Sequence, residues 1–68
     1  MRRFLLQRDH DATGVSGVGT VAEGAQLRSG RVAMQWLGAM PSIVFHESME
    51  NVERIHGHGG SSWIEWLD

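Results

Sequence analysis

The chain has 68 residues, a formal net charge of −2 and no cysteine. This length supports one small domain, residues 1–68, which buries only about 60% of its unfolded surface. The missing cysteines exclude disulfides and thiolate metal sites, the mild acidity speaks against a general nucleic-acid binder, and no apolar run approaches the roughly 20 residues of a membrane span.

Met1-Arg2-Arg3-Phe4-Leu5-Leu6 opens like a signal peptide but turns polar at Gln7-Arg8-Asp9, well short of an apolar region of about 7 to 15 residues. The expected location is therefore the cytoplasm, or an assembly made there. Phe4 to Arg8 reads as a first strand. Asp9 to Gly19 carries three Gly among small polar residues and reads as a loop. Thr20 to Ala22 begins a second strand, and Glu23-Gly24 suggests a bulge that keeps Glu23 off the apolar face.

Ser29-Gly30 reads as a two-residue hairpin turn, with Gly supplying a positive φ. That register pairs Leu27 with Val32 and Ala25 with Met34. A second turn at Gly38-Ala39-Met40-Pro41 sets Ile43 opposite Trp36 and Phe45 opposite Met34. Side chains alternate across a strand, so Ala25, Leu27, Val32, Met34, Trp36, Ile43 and Phe45 are expected on one inner face. The third and fourth strands are Arg31 to Leu37 and Ser42 to His46.

Ser48 has the character of a helix N-cap, with Glu50 and Glu53 near the positive end and Arg54 and His56 near the negative end. Met49, Val52 and Ile55 form an apolar stripe, and Gly57 reads as the stop. Ser62 to Leu67 is the last strand. The order strand, long loop, meander, short helix, strand predicts a mainly β fold, a small SH3-like five-stranded barrel closed by pairing the first strand with the last. The alternative is an open antiparallel sheet with the helix packed on one face.

The pattern Gly-Thr-Val-Ala-Glu-Gly (19 to 24), Ser-Gly-Arg-Val (29 to 32), Trp36, Ile-His-Gly-His-Gly-Gly (55 to 60) and a closing Trp-Leu-Asp resembles short proteins of high-GC actinobacteria and their phages. Those proteins carry no assigned activity, so the resemblance transfers no catalytic residue. It does imply codon bias as the reason that all six basic residues are Arg.

Candidate chemistry is sparse. His46, His56 and His58, with Glu47 or Asp11, have the right donor types for zinc, but their spacing matches no established signature. Asp9-His10-Asp11 with Thr13 is more simply a solvated loop. Gly14 to Gly19 lacks the preceding strand and following helix of a dinucleotide loop, and no Lys is present for a P-loop. No enzyme and no cofactor is expected. Arg2, Arg3 and Arg8 beside Phe4 offer a single-stranded nucleic-acid contact. Trp63 and Trp66 are three apart and point to opposite faces of a strand. With Trp63 and Leu67 inside, Trp66 joins Ala33, Leu37 and Val44 on the outer face as a contact surface. The sequence therefore points to a non-enzymatic protein-interaction module that binds another protein, most simply a second copy of itself. Nucleic acid is the alternative partner, and no membrane is expected.

Overall fold

A computed structural model describes residues 1–9 and 18–68, with the backbone alone at His58. Among these residues the chain forms β1 (Arg2–Arg8), β2 (Gly19–Gln26), β3 (Val32–Trp36), β4 (Ile43–His46), α1 (Met49–His56), a single 3-10 turn at His58–Gly60, and β5 (Ser62–Trp66). All neighbouring strands are antiparallel, in the order β4-β3-β2-β1-β5. The expected pairing of first with last strand is present. Among the described residues the sheet nevertheless does not close into a barrel, because β4 and β5 remain its two edges. It is the open sheet of the alternative reading, with α1 linking one edge to the other and touching both edge strands.

The core forms where this helix covers the sheet. Phe4, Leu6, Val21, Ala22, Val32, Met34, Met49 and Val52 are buried together. Ser48 caps α1 as its sequence suggests: its Oγ accepts a hydrogen bond from the Asn51 N–H at 3.1 Å. Met49 and Val52 face the core, whereas Ile55, placed in the same stripe by sequence, is 52% exposed. Gly57 ends the helix with right-handed backbone, φ −70°. The left-handed residues expected there come later, at Gly59 and Gly60.

Both hairpin registers differ from expectation by one residue. Leu27 N donates to the Arg31 carbonyl at 2.8 Å and Gly30 N to the Leu27 carbonyl at 2.9 Å. The loop is therefore three residues, Arg28 to Gly30, with Gly30 at φ 95°. Val32 then pairs with Gln26, Met34 with Gly24 and Trp36 with Ala22. On the other side, Met34 pairs with Val44 and Val32 with His46. A one-residue slip moves every side chain of the slipped strand to the opposite face. Val32, Met34 and Trp36 lie inside as expected, but Ala25, Ile43 and Phe45 lie on the outer face, while Val44 and His46 turn inward. Leu27, also expected inside, is 39% exposed.

This register removes the need for a bulge at Gly24, since Glu23 lies outside opposite Gln35. The observed irregularity falls between Leu6 and Gln7, opposite Ala22 and Thr20. It lets the consecutive residues Val21 and Ala22 both become buried.

Candidate interaction surface

Four residues suggested as one contact patch separate in space. Ala33 lies on the outer face opposite Phe45, and Leu37 is exposed just beyond β3. Val44 and Trp66 point inward and pack against the core. Trp66 pairs with Phe4 across β5 and β1, and the two rings meet edge-on with centroids 5.8 Å apart. The inner and outer tryptophans are thus the reverse of the expected assignment. Trp63, opposite Gln7, is on the outside and 47% exposed, and Leu67 accompanies it at 46%.

The strand register assembles a different surface, apolar at its β4 end and mixed toward β1 and β5. One cross-strand row on the outer face runs Phe45, Ala33, Ala25, Arg3, and the next runs Ile43, Gln35, Glu23, Leu5, Glu65. Between these rows lies a shallow hollow of about 410 Å³, lined by the apolar Leu5, Ala25, Ala33, Ile43 and Leu67 and by the polar Arg3, Glu23 and Gln35. Phe4, Gly24 and Met34 of the central strands also line it. Ile43 stands at its β4 rim, 63% exposed; Phe45, two residues on along the same strand, is 78% exposed, and Met40 in the preceding turn 89%.

These two residues also expose their backbone. Trp36 N donates to the Ser42 carbonyl at 2.9 Å, so residues 42, 44 and 46 direct their N–H and C=O groups toward β3. The antiparallel alternation turns those of Ile43 and Phe45 to the open edge. Natural edge strands are usually blunted by Lys, Pro or a bulge. From Ile43 to His46 this one has none, and the sequence from Leu37 through Phe45 contains no Asp, Glu, Lys or Arg.

The three amino-proximal arginines take separate positions. Arg2 lies 3.9 Å above the Trp66 ring. Arg3 clasps Asp68 with both Nε and an Nη, at 2.9 and 2.8 Å, and its backbone N–H donates to the same carboxylate. These side-chain and backbone hydrogen bonds hold Asp68 far below the usual carboxylate range. Arg8 is 3% exposed, and its Nε donates to Ser62 Oγ at 2.8 Å.

A second constellation lies on the inner face. His46 and His56 come together from β4 and α1, with ring centroids 5.3 Å apart, and His56 stands edge-on to Trp36 at 4.9 Å. His46 Nδ1 is 3.4 Å from Asn51 Nδ2, while its buried Nε2 has no hydrogen-bond partner among the described residues. Among the described residues no group of three His, Asp or Glu converges as a metal site. The third histidine suggested as a ligand, His58, has its side chain outside the described residues. So do His10, Asp11, Thr13 and the glycine loop from Gly14 to Gly17. No helix of the described residues is long and apolar enough to cross a membrane.

The outer face thus carries what sequence reasoning missed, the pair Ile43 and Phe45. The signal was present in the unbroken apolar run Ile43-Val44-Phe45, which leaves apolar side chains outside in either register. A protein-family model described as Acb5 phage protein matches residues 1–68. No curated protein matches the chain, and no solved structure does.

Proposed function

The chain belongs to the Acb5 phage protein family, and we propose that it is a non-enzymatic protein-interaction module that associates with itself through the outer face and the β4 edge. A GC-rich host accords with its six Arg and absent Lys. The observation that carries the reading is the exposure of Ile43 and Phe45, at 63% and 78%, on a strand with an open edge. Large apolar side chains beside unpaired backbone groups make an edge that recruits another strand. Arg2, Arg3 and Arg8 are each engaged within the chain, which favours a protein partner over nucleic acid.

Sedimentation velocity across a concentration series tests this. Wild-type protein should gain weight-average mass as concentration rises, and Phe45→Lys should remain monomeric with an unchanged far-UV spectrum, because the site is exposed. A wild-type protein that stays monomeric at high micromolar concentration overturns the reading.

A further inference from the structure

We propose that two copies join β4 to β4 antiparallel about a two-fold axis at Val44, so that two five-stranded sheets run on as one. This rests on the self-association reading above and specifies its geometry.

Three observations select this register. First, residues directly opposite each other in an antiparallel pair share a face. A two-fold axis that continues the outer face must therefore pass through a residue, not between residues. Second, the open edge offers the N–H and C=O groups of Ile43 and Phe45, as the Trp36–Ser42 hydrogen bond requires. An axis at Val44 puts Ile43 of each copy opposite Phe45 of the other, so both residues exchange hydrogen bonds with their opposite number. An axis at Ile43 or at Phe45 instead sends one of these pairings outside β4, to residue 41 or 47. Residue 41 is a proline without an N–H, and residue 47 is the glutamate that already meets Arg31 at 3.3 Å. Third, the Val44 axis makes two identical Ile–Phe cross-strand pairs, a favourable β-branched–aromatic combination.

Charge and continuity point to a second copy as the occupant. Each chain carries a formal −2, yet the edge from Leu37 through Phe45 has no acidic or basic side chain. Two copies therefore meet there without like charges in register. The second copy also extends the hollow. Ile43 forms its rim, and the opposing Phe45 continues the row of Ile43, Gln35, Glu23 and Leu5, walling the hollow on its open side.

Amide hydrogen exchange of the wild-type protein, followed residue by residue at low and high concentration, tests the proposal. The Ile43 and Phe45 N–H groups should exchange at least tenfold more slowly at a concentration where the protein is dimeric. The Val44 and His46 N–H groups, already bonded to β3, should show no added protection beyond that of the fold as a whole. Because the chain has no cysteine, crosslinking gives a second measurement. A mixture of Ile43→Cys and Phe45→Cys should form the mixed disulfide, since opposite residues lie within the roughly 4.4–6.8 Å a disulfide spans. Phe45→Cys alone should not crosslink, its symmetry mate being more than about 7 Å away. Self-association with concentration-independent exchange at Ile43 and Phe45 overturns the edge geometry and leaves the broader reading standing. So does preferential crosslinking of Phe45→Cys to itself. A protein monomeric throughout overturns both.

Discussion

Gly24 shows how one missing side chain shapes the sheet. It pairs with Phe4 on one side and Met34 on the other. A Cβ there would strike the Ala33 carbonyl oxygen and lie 2.8 Å from Phe4 Cζ. Its backbone is not left-handed, so the glycine is required for the close approach of the Ala33 carbonyl on the neighbouring strand and of the Phe4 ring. Gly24→Ala should therefore lower stability by about 1–3 kcal/mol, the usual cost of overfilling a packed core. Gly38→Ala, where nothing lies within 4 Å, should stay within about 0.5 kcal/mol. Urea denaturation of the two variants decides the matter, and equal midpoints would mean that both the Ala33 carbonyl and the Phe4 ring can move aside. Phe4 in turn meets Trp66, which carries Arg2 on its ring.

At the level of elements, the hairpin between β2 and β3 depends on Gly30. With φ at 95°, a β-branched replacement is strained, although no neighbouring atom blocks it. Gly30→Val should cost more than about 1 kcal/mol, and a thermal melt identical to wild type would exclude that conformation in solution. The positions of the strands and the helix were legible in the sequence: the turns near Gly30 and Gly38, the Ser48 cap and the three-residue spacing of Met49 and Val52 point correctly, while the loop read from Asp9 to Gly19 lies mostly outside the described residues. Register was not legible, for a specific reason. Glycine serves at the positive-φ position of two-residue and three-residue loops alike, so Ser29-Gly30 marks a turn without measuring it. Beyond the second turn, Ile43-Val44-Phe45 has no alternation to indicate which face is inner. Trp63 and Trp66 share the ambiguity; what places Trp66 inside is its pairing with Phe4, a contact between residues far apart in sequence. The outer surface followed the register, so Ala33 was placed correctly while Ile43, Phe45 and Trp63 were assigned inside.

On the scale of the whole molecule, Arg3 and Asp68 fasten β1 to the segment beyond β5, across 65 positions of sequence. Asp68 is more acidic in the folded protein than its ordinary value of 3.8. A depressed carboxylate contributes stability above its unfolded pKa and loses that contribution as pH falls toward its folded value. Lowering the pH from 5 to 2 should thus reduce the melting temperature of wild type more than that of Asp68→Asn. Both partners are partly exposed, so 1 M salt should shrink the difference. Parallel pH profiles for the two proteins would remove this clasp from the balance. The edge-to-edge passage of α1 also has a consequence in time. The four-stranded meander assembles from neighbours in the chain, but β5 docks on β1 through contacts such as Arg8 to Ser62, 54 positions apart. Closing so long a span costs more chain entropy than closing a hairpin, so this pairing gains most from forming once the meander is in place to receive it. We expect β5 to join after the rate-limiting step, making it the first strand to peel away. Ile64→Ala, which trims a β5 side chain packed on the core, should then accelerate unfolding while leaving the refolding rate nearly unchanged. A stopped-flow chevron with the effect on the refolding arm would instead make β1–β5 closure the event that sets the pace at which this fold forms.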